Sequence, residues 1–253
     1  MNLITTLQDF VGRCEREARL SAPYRFCFYG YTDIMLNRSE WLALMPPEKY
    51  ARLANRENRD SLVKIHNRPD VEKVPTLSSI QEVLFDKRVS IDVFDFQTYE
   101  GSEMMVDLNR RVPAELEQRY DAVFDNGTSE HVFNYPQLLM NSLLITKVGG
   151  FIRHAVPLNW PNHGFYSVSP TTFHDFYGDN GARTVECQGH FLDRKSNPPQ
   201  HRIITSLPLH ERFTLDKLGG IEISVLYTVQ KEEHRADFTY PVQHKYRDAS
   251  KWK

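Results

Sequence analysis

Cysteine is scarce in this 253-residue chain, and its three copies, Cys14, Cys27 and Cys187, stand far apart. They offer no metal-ligand spacing, and an odd, scattered set builds no disulfide framework, so a reducing compartment is expected. Long apolar runs are missing as well: none approaches the roughly 20 residues that span a bilayer. The opening MNLITTLQDFVGRCEREARL lacks an apolar block behind a basic start and does not read as a secretory signal. No charge of one sign dominates. The net charge is -2 and there is no basic patch, which removes the electrostatic case for nucleic acid or an anionic membrane. Repeats, low-complexity segments and strongly biased linkers are absent too. These absences describe a soluble, cytoplasmic protein, and they carry no signal for oligomeric state.

What is present is ordinary globular composition, 40% hydrophobic and 25% charged, arranged with clear periodicity. Leu3, Leu7, Phe10, Cys14 and Ala18 fall at helical spacing and predict an amphipathic helix over 3–19. Arg25 to Tyr29 reads as a strand that ends at Gly30. Glu40 to Leu44 and Glu48 to Leu62 predict helices, and residues 66–75 a polar loop, so 38–75 reads as a helical insertion or lid. Ser78 to Gln81 has the form of a capping box before a helix. Strands follow at Val89 to Phe94, with Asp92 and Asp95 near its end, and at Met104 to Leu108, which turns at Asn109.

Tyr120 to Gly181 is the most organised stretch. A strand over Tyr120 to Phe124 closes at Asp125-Asn126-Gly127, and a helix over Leu138 to Leu144 is stopped by Gly149-Gly150. A second strand, Phe151 to Val156, ends at Pro157-Leu158-Asn159. This is a βαβ unit whose polar loops leave the carboxyl ends of strands, where open α/β sheets bind ligands. Thr172 to Tyr177 predicts a helix, while Ala182 to Leu192 and Ile221 to Val229 predict strands. The tail from Lys231 reads as polar and loosely ordered. The fold expected is α/β, with seven strands, a mostly parallel sheet and helices on both faces, in a single domain over 1–253.

A dinucleotide-type site needs close backbone approach after the first strand and a carboxylate after the second. Gly30 and Asp92 fit those two roles. The loop Gly30-Tyr31-Thr32-Asp33 is not a run of glycines at G-x-G-x-x-G spacing, however, so a pyrophosphate fits poorly. That argues against an NAD-dependent or nucleotide-sugar enzyme and favours a nucleoside cofactor without phosphates.

The blocks YDAVFDNGTSEHVFN, KVGGFI, VPLNW and NHGFYSVSPTTFHDFY, set on this order of elements, resemble the class I S-adenosylmethionine-dependent methyltransferases. The resemblance is nearest to a bacterial group without the usual glycine-rich first motif, and covers roughly residues 25–230. It implies a Rossmann-like methyltransferase fold and S-adenosylmethionine as cofactor. Gly30, with Asp33 in the same loop, would lie beneath the methionine part, and Asp92 would bind the ribose hydroxyls. Asp107, Leu108 and Asn109 would border the adenine, and Asp125, Asn126 and Gly127 the floor near the methionine end. The implied activity is methyl transfer to a small acceptor, an oxygen of a sugar or secondary metabolite. The alternative is a non-catalytic cofactor-binding or scaffold protein.

Among the acceptor-side candidates, His163 sits in a glycine- and aromatic-rich loop and suits a general base; His131 suits contact with cofactor or substrate. Glu130 reads as a first-turn acid favoured by the helix dipole, and His154, inside a strand, as a buried hydrogen-bonded residue. His131, His154 and His163 match no metal-ligand spacing, so no metal is expected.

Overall fold

The computed structural model describes residues 3–17, 20–98, 104–193, 200–204 and 222–247. Contacts divide the chain into two compact units, Met1–Met105 and Val106–Lys253. No helix among the described residues is long and apolar enough to cross a membrane.

In the first unit, helix α1 (Leu3–Arg16) buries Ile4, Leu7, Phe10 and Cys14 on one stripe, as their spacing demands; Ala18 lies outside the described residues. Strand β1 (Tyr24–Tyr29) pairs in parallel with β2 (Val89–Asp95), and β2 with the two-residue β3 (Met104–Met105). Between β1 and β2 lie α2 (Arg38–Leu44), α3 (Pro47–Ala51), α4 (Arg59–Ile65) and α5 (Leu77–Phe85). The expected helix Glu48 to Leu62 is therefore two short helices. Between them, Arg56 N–H donates to Val74 O at 2.9 Å and Asn55 forms a bridge with Pro75, so the backbone takes up long-range partners instead of helical ones. The cap of α5 also moves: Thr76, not Ser78, accepts from Ser79 N–H. A true capping box stands at α2, where Asn37 and Glu40 exchange side-chain and backbone hydrogen bonds at 3.0 and 2.7 Å.

The second unit carries β4 (Tyr120–Asp125), α6 (Tyr135–Ile145), β5 (Thr146–Pro157), α7 (Pro170–Asp179), β6 (Ala182–Asp193), β7 (Gln200–Ile204) and β8 (Glu222–Lys231). The strand order here is β4-β5-β8-β6-β7. β4 and β5 are parallel, and β8 lies antiparallel between β5 and β6. All seven expected strands are present in this α/β fold, and β7 adds a hairpin to β6. Ile221, the expected start of the last strand, lies outside the described residues.

Gly149-Gly150 does not stop α6. The helix ends at Ile145, and the two glycines lie inside β5, where register jumps from Tyr120↔Thr146 to Ala122↔Phe151. Gly149 has φ +84°, and a Cβ on Gly150 would lie 2.9 Å from Asp121 O, so the bulge needs both glycines. From Glu232 to Arg247 the tail is pinned rather than loose. Asn180 bonds Thr239 through both its amide nitrogen and its carbonyl oxygen, and His244 N–H donates to Asp175. The Arg247 guanidinium makes two bonds to Asp179, at 2.7 and 2.8 Å.

Candidate functional site

Two constellations emerge, one in each unit. In the first, parallel pairing of β1 with β2 brings their carboxyl ends together. Gly30, with φ +73°, turns the chain away from β1 while its N–H donates to Phe94 O at 2.8 Å. Tyr31 N–H then donates to Asp95 Oδ2 at 3.3 Å. Asp95, the last residue of β2, is thus the carboxylate at this strand end. Asp92 sits mid-strand opposite Cys27, ion-paired to Arg25 at 3.1 Å. Three residues apart on a strand, the two aspartates point to opposite faces of the sheet, and Asp95 is the one at the strand end.

Gly30, Tyr31, Asp33 and Asp95 line a cavity of about 350 Å³, together with Arg56 and His66 from the insertion. The insertion is thereby fastened to the loop after β1. Buried Arg56 pairs with Asp33 and lies 4.0 Å over the Tyr31 ring, and His66 Nε2 is 3.3 Å from the other Asp33 oxygen. Asp33 lines the cavity with both carboxylate oxygens engaged.

In the second unit, Asp125 ends β4 with its side chain turned into the core. It is fully buried: His154 Nδ1 lies 2.7 Å from Oδ2, and Thr128 and Ser129 N–H donate to Oδ1. His154 Nε2 contacts Tyr177 OH at 2.6 Å, completing an Asp125–His154–Tyr177 chain inside the core. Burial alone would raise the Asp125 pKa; the bonds from His154 and Ser129 outweigh it and leave the carboxyl below its usual range. His154 is the buried, hydrogen-bonded residue its strand position suggested. Asp125 orders the loop from inside, with both of its oxygens bonded there. Asn126 and Gly127, part-exposed with Gly127 at φ +91°, are the portion of that motif that meets solvent.

Asp107 closes an Asx turn: the side chain and backbone N–H of Asn109 bond it at 2.9 and 3.0 Å and hold its pKa down. Leu108 is buried, with its carbonyl bonded by Asn141 Nδ2. Asn109 instead receives Asn134 N–H at 2.9 Å. Asn159 accepts from Ile223 N–H at 2.7 Å and ties the end of β5 to β8.

The loops after β4 and β5 converge on Glu130. It stands in a single 3-10 turn, Ser129–His131, rather than opening an α-helix, and is 1% exposed. Its Oε1 lies 3.6 Å from His163 Nε2 and 4.0 Å from His131 Nε2, and its Oε2 has no hydrogen-bond partner among the described residues. Phe165 N–H donates to Glu130 O at 2.8 Å, and a Cβ on Gly164 would lie 2.7 Å from that oxygen, so only glycine lets the loops close this tightly. Burial, then the Asp125 charge, raises the Glu130 carboxyl to about 7. Burial and neighbouring His163 lower the His131 pKa and favour its neutral form. Exposed Phe133 and Phe165 rings meet edge-on at 5.4 Å beside the imidazoles, and Trp160 meets His163 at 4.9 Å.

The structure therefore brings His131 and His163 together and leaves His154 in another network. Glu130, assigned by sequence to the helix dipole, is the residue that joins them. In the structure Gly127 and Gly164 both lie against it, a packing that no local sequence pattern marks.

No protein-family model matches the chain, and no curated protein matches it in sequence. Solved structures match at low identity. A mutant of the 16S rRNA (adenine(1408)-N(1))-methyltransferase from Catenulisporales acidiphilia shares 10% identity, covering 90% of this chain and 94% of that one, with TM-score 0.39. A putative sarcosine dimethylglycine methyltransferase from Galdieria sulphuraria shares 8%, covering 90% and 86%, with TM-score 0.43. A putative Zn-dependent alcohol dehydrogenase from Rhodobacter sphaeroides shares 13%, covering 88% and 89%, with TM-score 0.34. At these scores no residue role passes from those proteins to this one.

Proposed function

We propose that the chain is an S-adenosylmethionine-dependent methyltransferase acting on a small acceptor, with oxygen the methylated atom. The observation that carries the cofactor reading is the cavity where Gly30 and Asp95 meet at adjacent strand ends. Gly30 permits close backbone approach, and the carboxylate is placed for ribose hydroxyls. Residues 38–75 then act as a lid, a role supported by Arg56 and His66 lining the same cavity. The ribose role, expected of Asp92, is placed here on Asp95 because Asp95 ends β2 and lines the cavity, whereas Asp92 lies mid-strand beside Arg25. On the acceptor side, His163 accepts the hydroxyl proton, and buried Glu130, 3.6 Å from its Nε2, stabilises the resulting charge. The Phe133 and Phe165 rings suit an acceptor with an apolar face. Three buried thiols, none in a disulfide, suit a reducing cytoplasm.

Calorimetric titration with S-adenosylmethionine and S-adenosylhomocysteine tests the reading. Binding of both is expected, weakened at least tenfold by Asp95→Ala, abolished by Gly30→Val and little changed by Asp92→Ala. No binding at millimolar ligand would overturn it. The non-catalytic alternative has one observation in its favour, the commitment of both Asp33 oxygens to Arg56 and His66. It predicts that both ligands bind while no S-adenosylhomocysteine forms with any acceptor offered.

A further inference from the structure

We infer that Glu130, His131 and His163 form a binding site for one divalent transition-metal ion of the zinc, iron or cobalt kind. Each residue offers one ligand atom, and the three atoms lie within 4.8 Å of one another. Metal–ligand bonds of about 2.0–2.2 Å around one ion set neighbouring donors roughly 3 Å apart. Closing the triangle from separations of up to 4.8 Å thus takes up to about 2 Å of side-chain movement, within reach of imidazoles whose side chains are 48% and 42% exposed. Two imidazoles and one carboxylate are borderline and hard donors together, a set for zinc or iron rather than calcium or magnesium.

The independent observation is the carboxylate itself. Glu130 is 1% exposed, yet among the described residues Oε2 bonds to nothing and Oε1 makes only the two long contacts to the imidazoles. Leaving a buried carboxylate oxygen without a partner costs on the order of 1–3 kcal/mol or more, a cost that a bound cation would offset. Among the described residues nothing basic and permanently charged contacts it: its ion-pair neighbours are the two histidines. The surrounding backbone is built to hold the acid in place. Gly164 lies against Glu130 O, and Phe165 N–H and Tyr166 N–H both donate to that carbonyl, at 2.8 and 3.3 Å. Only three protein ligands converge and the imidazoles face solvent, so the ion keeps open positions, the arrangement of a reactive rather than a purely structural site.

With an ion bound, the His163 nitrogen facing Glu130 is a ligand and not a base, so the base role of the proposed function belongs to the metal-free protein. Metal binding itself does not rest on that function, and its test reads the metal alone. Full-length protein stripped with chelator is titrated with Zn²⁺ by calorimetry and with Co²⁺ by visible ligand-field absorption. One ion per chain is expected. Glu130→Gln, His131→Ala and His163→Ala should each weaken binding at least tenfold and change the Co²⁺ spectrum, while His66→Ala leaves both unchanged. Both histidines are exposed, so their variants should keep the wild-type melting temperature, and the loss is then read on folded protein. No stoichiometric Zn²⁺ or Co²⁺ binding would overturn the inference. So would binding that persists in the His131→Ala/His163→Ala double variant.

Discussion

At the scale of single residues, burial decides which groups can do chemistry. Asp125 looks like a ligand-facing acid in the string DNGTSEH, but it is sealed in the core with His154 and Tyr177. Tyr177→Phe would strip the partner from His154 Nε2 and is expected to cost about 1–3 kcal/mol in denaturant unfolding. Asp125→Ala leaves the imidazole without its carboxylate and should cost about 3–5 kcal/mol. Lys231 is a second buried group. It is 1% exposed, and its ammonium donates to Leu143 O and Thr146 O, both at 2.7 Å. Desolvation lowers its pKa to about 8, against the opposing pull of Glu117. Between pH 8 and its unfolded value near 10.5, the unfolded chain binds a proton that the folded chain does not, so stability rises with pH across that window. The penalty is fully present below pH 8. Relative to Lys231→Met, which lacks this titration, wild-type stability should climb from pH 8 to 10 by up to about 3 kcal/mol, read from melting curves at each pH.

At the scale of elements, periodicity made most of the fold legible. The apolar stripe of α1, the runs of β1, β4 and β5, and the alternation of β6 each show in sequence because their burial follows local spacing. What stayed hidden depends on partners distant in the chain. Glu48 to Leu62 breaks in two because Arg56 serves Asp33 and Val74. The glycine pair read as a helix stop serves a bulge, because the crowding at Gly150 comes from Asp121 on the neighbouring strand. The Glu130 site was half legible: its histidines stood out by type, whereas its acid was masked by a sufficient local reason for a glutamate in a first turn. Gly150→Ala would press a methyl against Asp121 O and Thr146 Cγ2, each 2.9 Å away, and should cost about 1–3 kcal/mol. Asn37→Ala removes the capping box of α2 and should cost about 1 kcal/mol, measurable by thermal unfolding.

At the scale of the whole molecule, we propose that the chain unfolds as one domain. A single calorimetric transition, with calorimetric and van't Hoff enthalpies equal, is the expected result; two separate transitions would instead follow the division after Met105. The Asp125–His154–Tyr177 chain supplies an internal reporter for such an experiment. Its imidazole bridges a residue of β4 and one of α7 from its own place in β5, across contacts of 2.7 and 2.6 Å without access to water. A proton held between groups so close is strongly deshielded and slow to exchange with solvent. It should give a far-downfield nuclear magnetic resonance line, absent from His154→Leu, that vanishes when those three elements part.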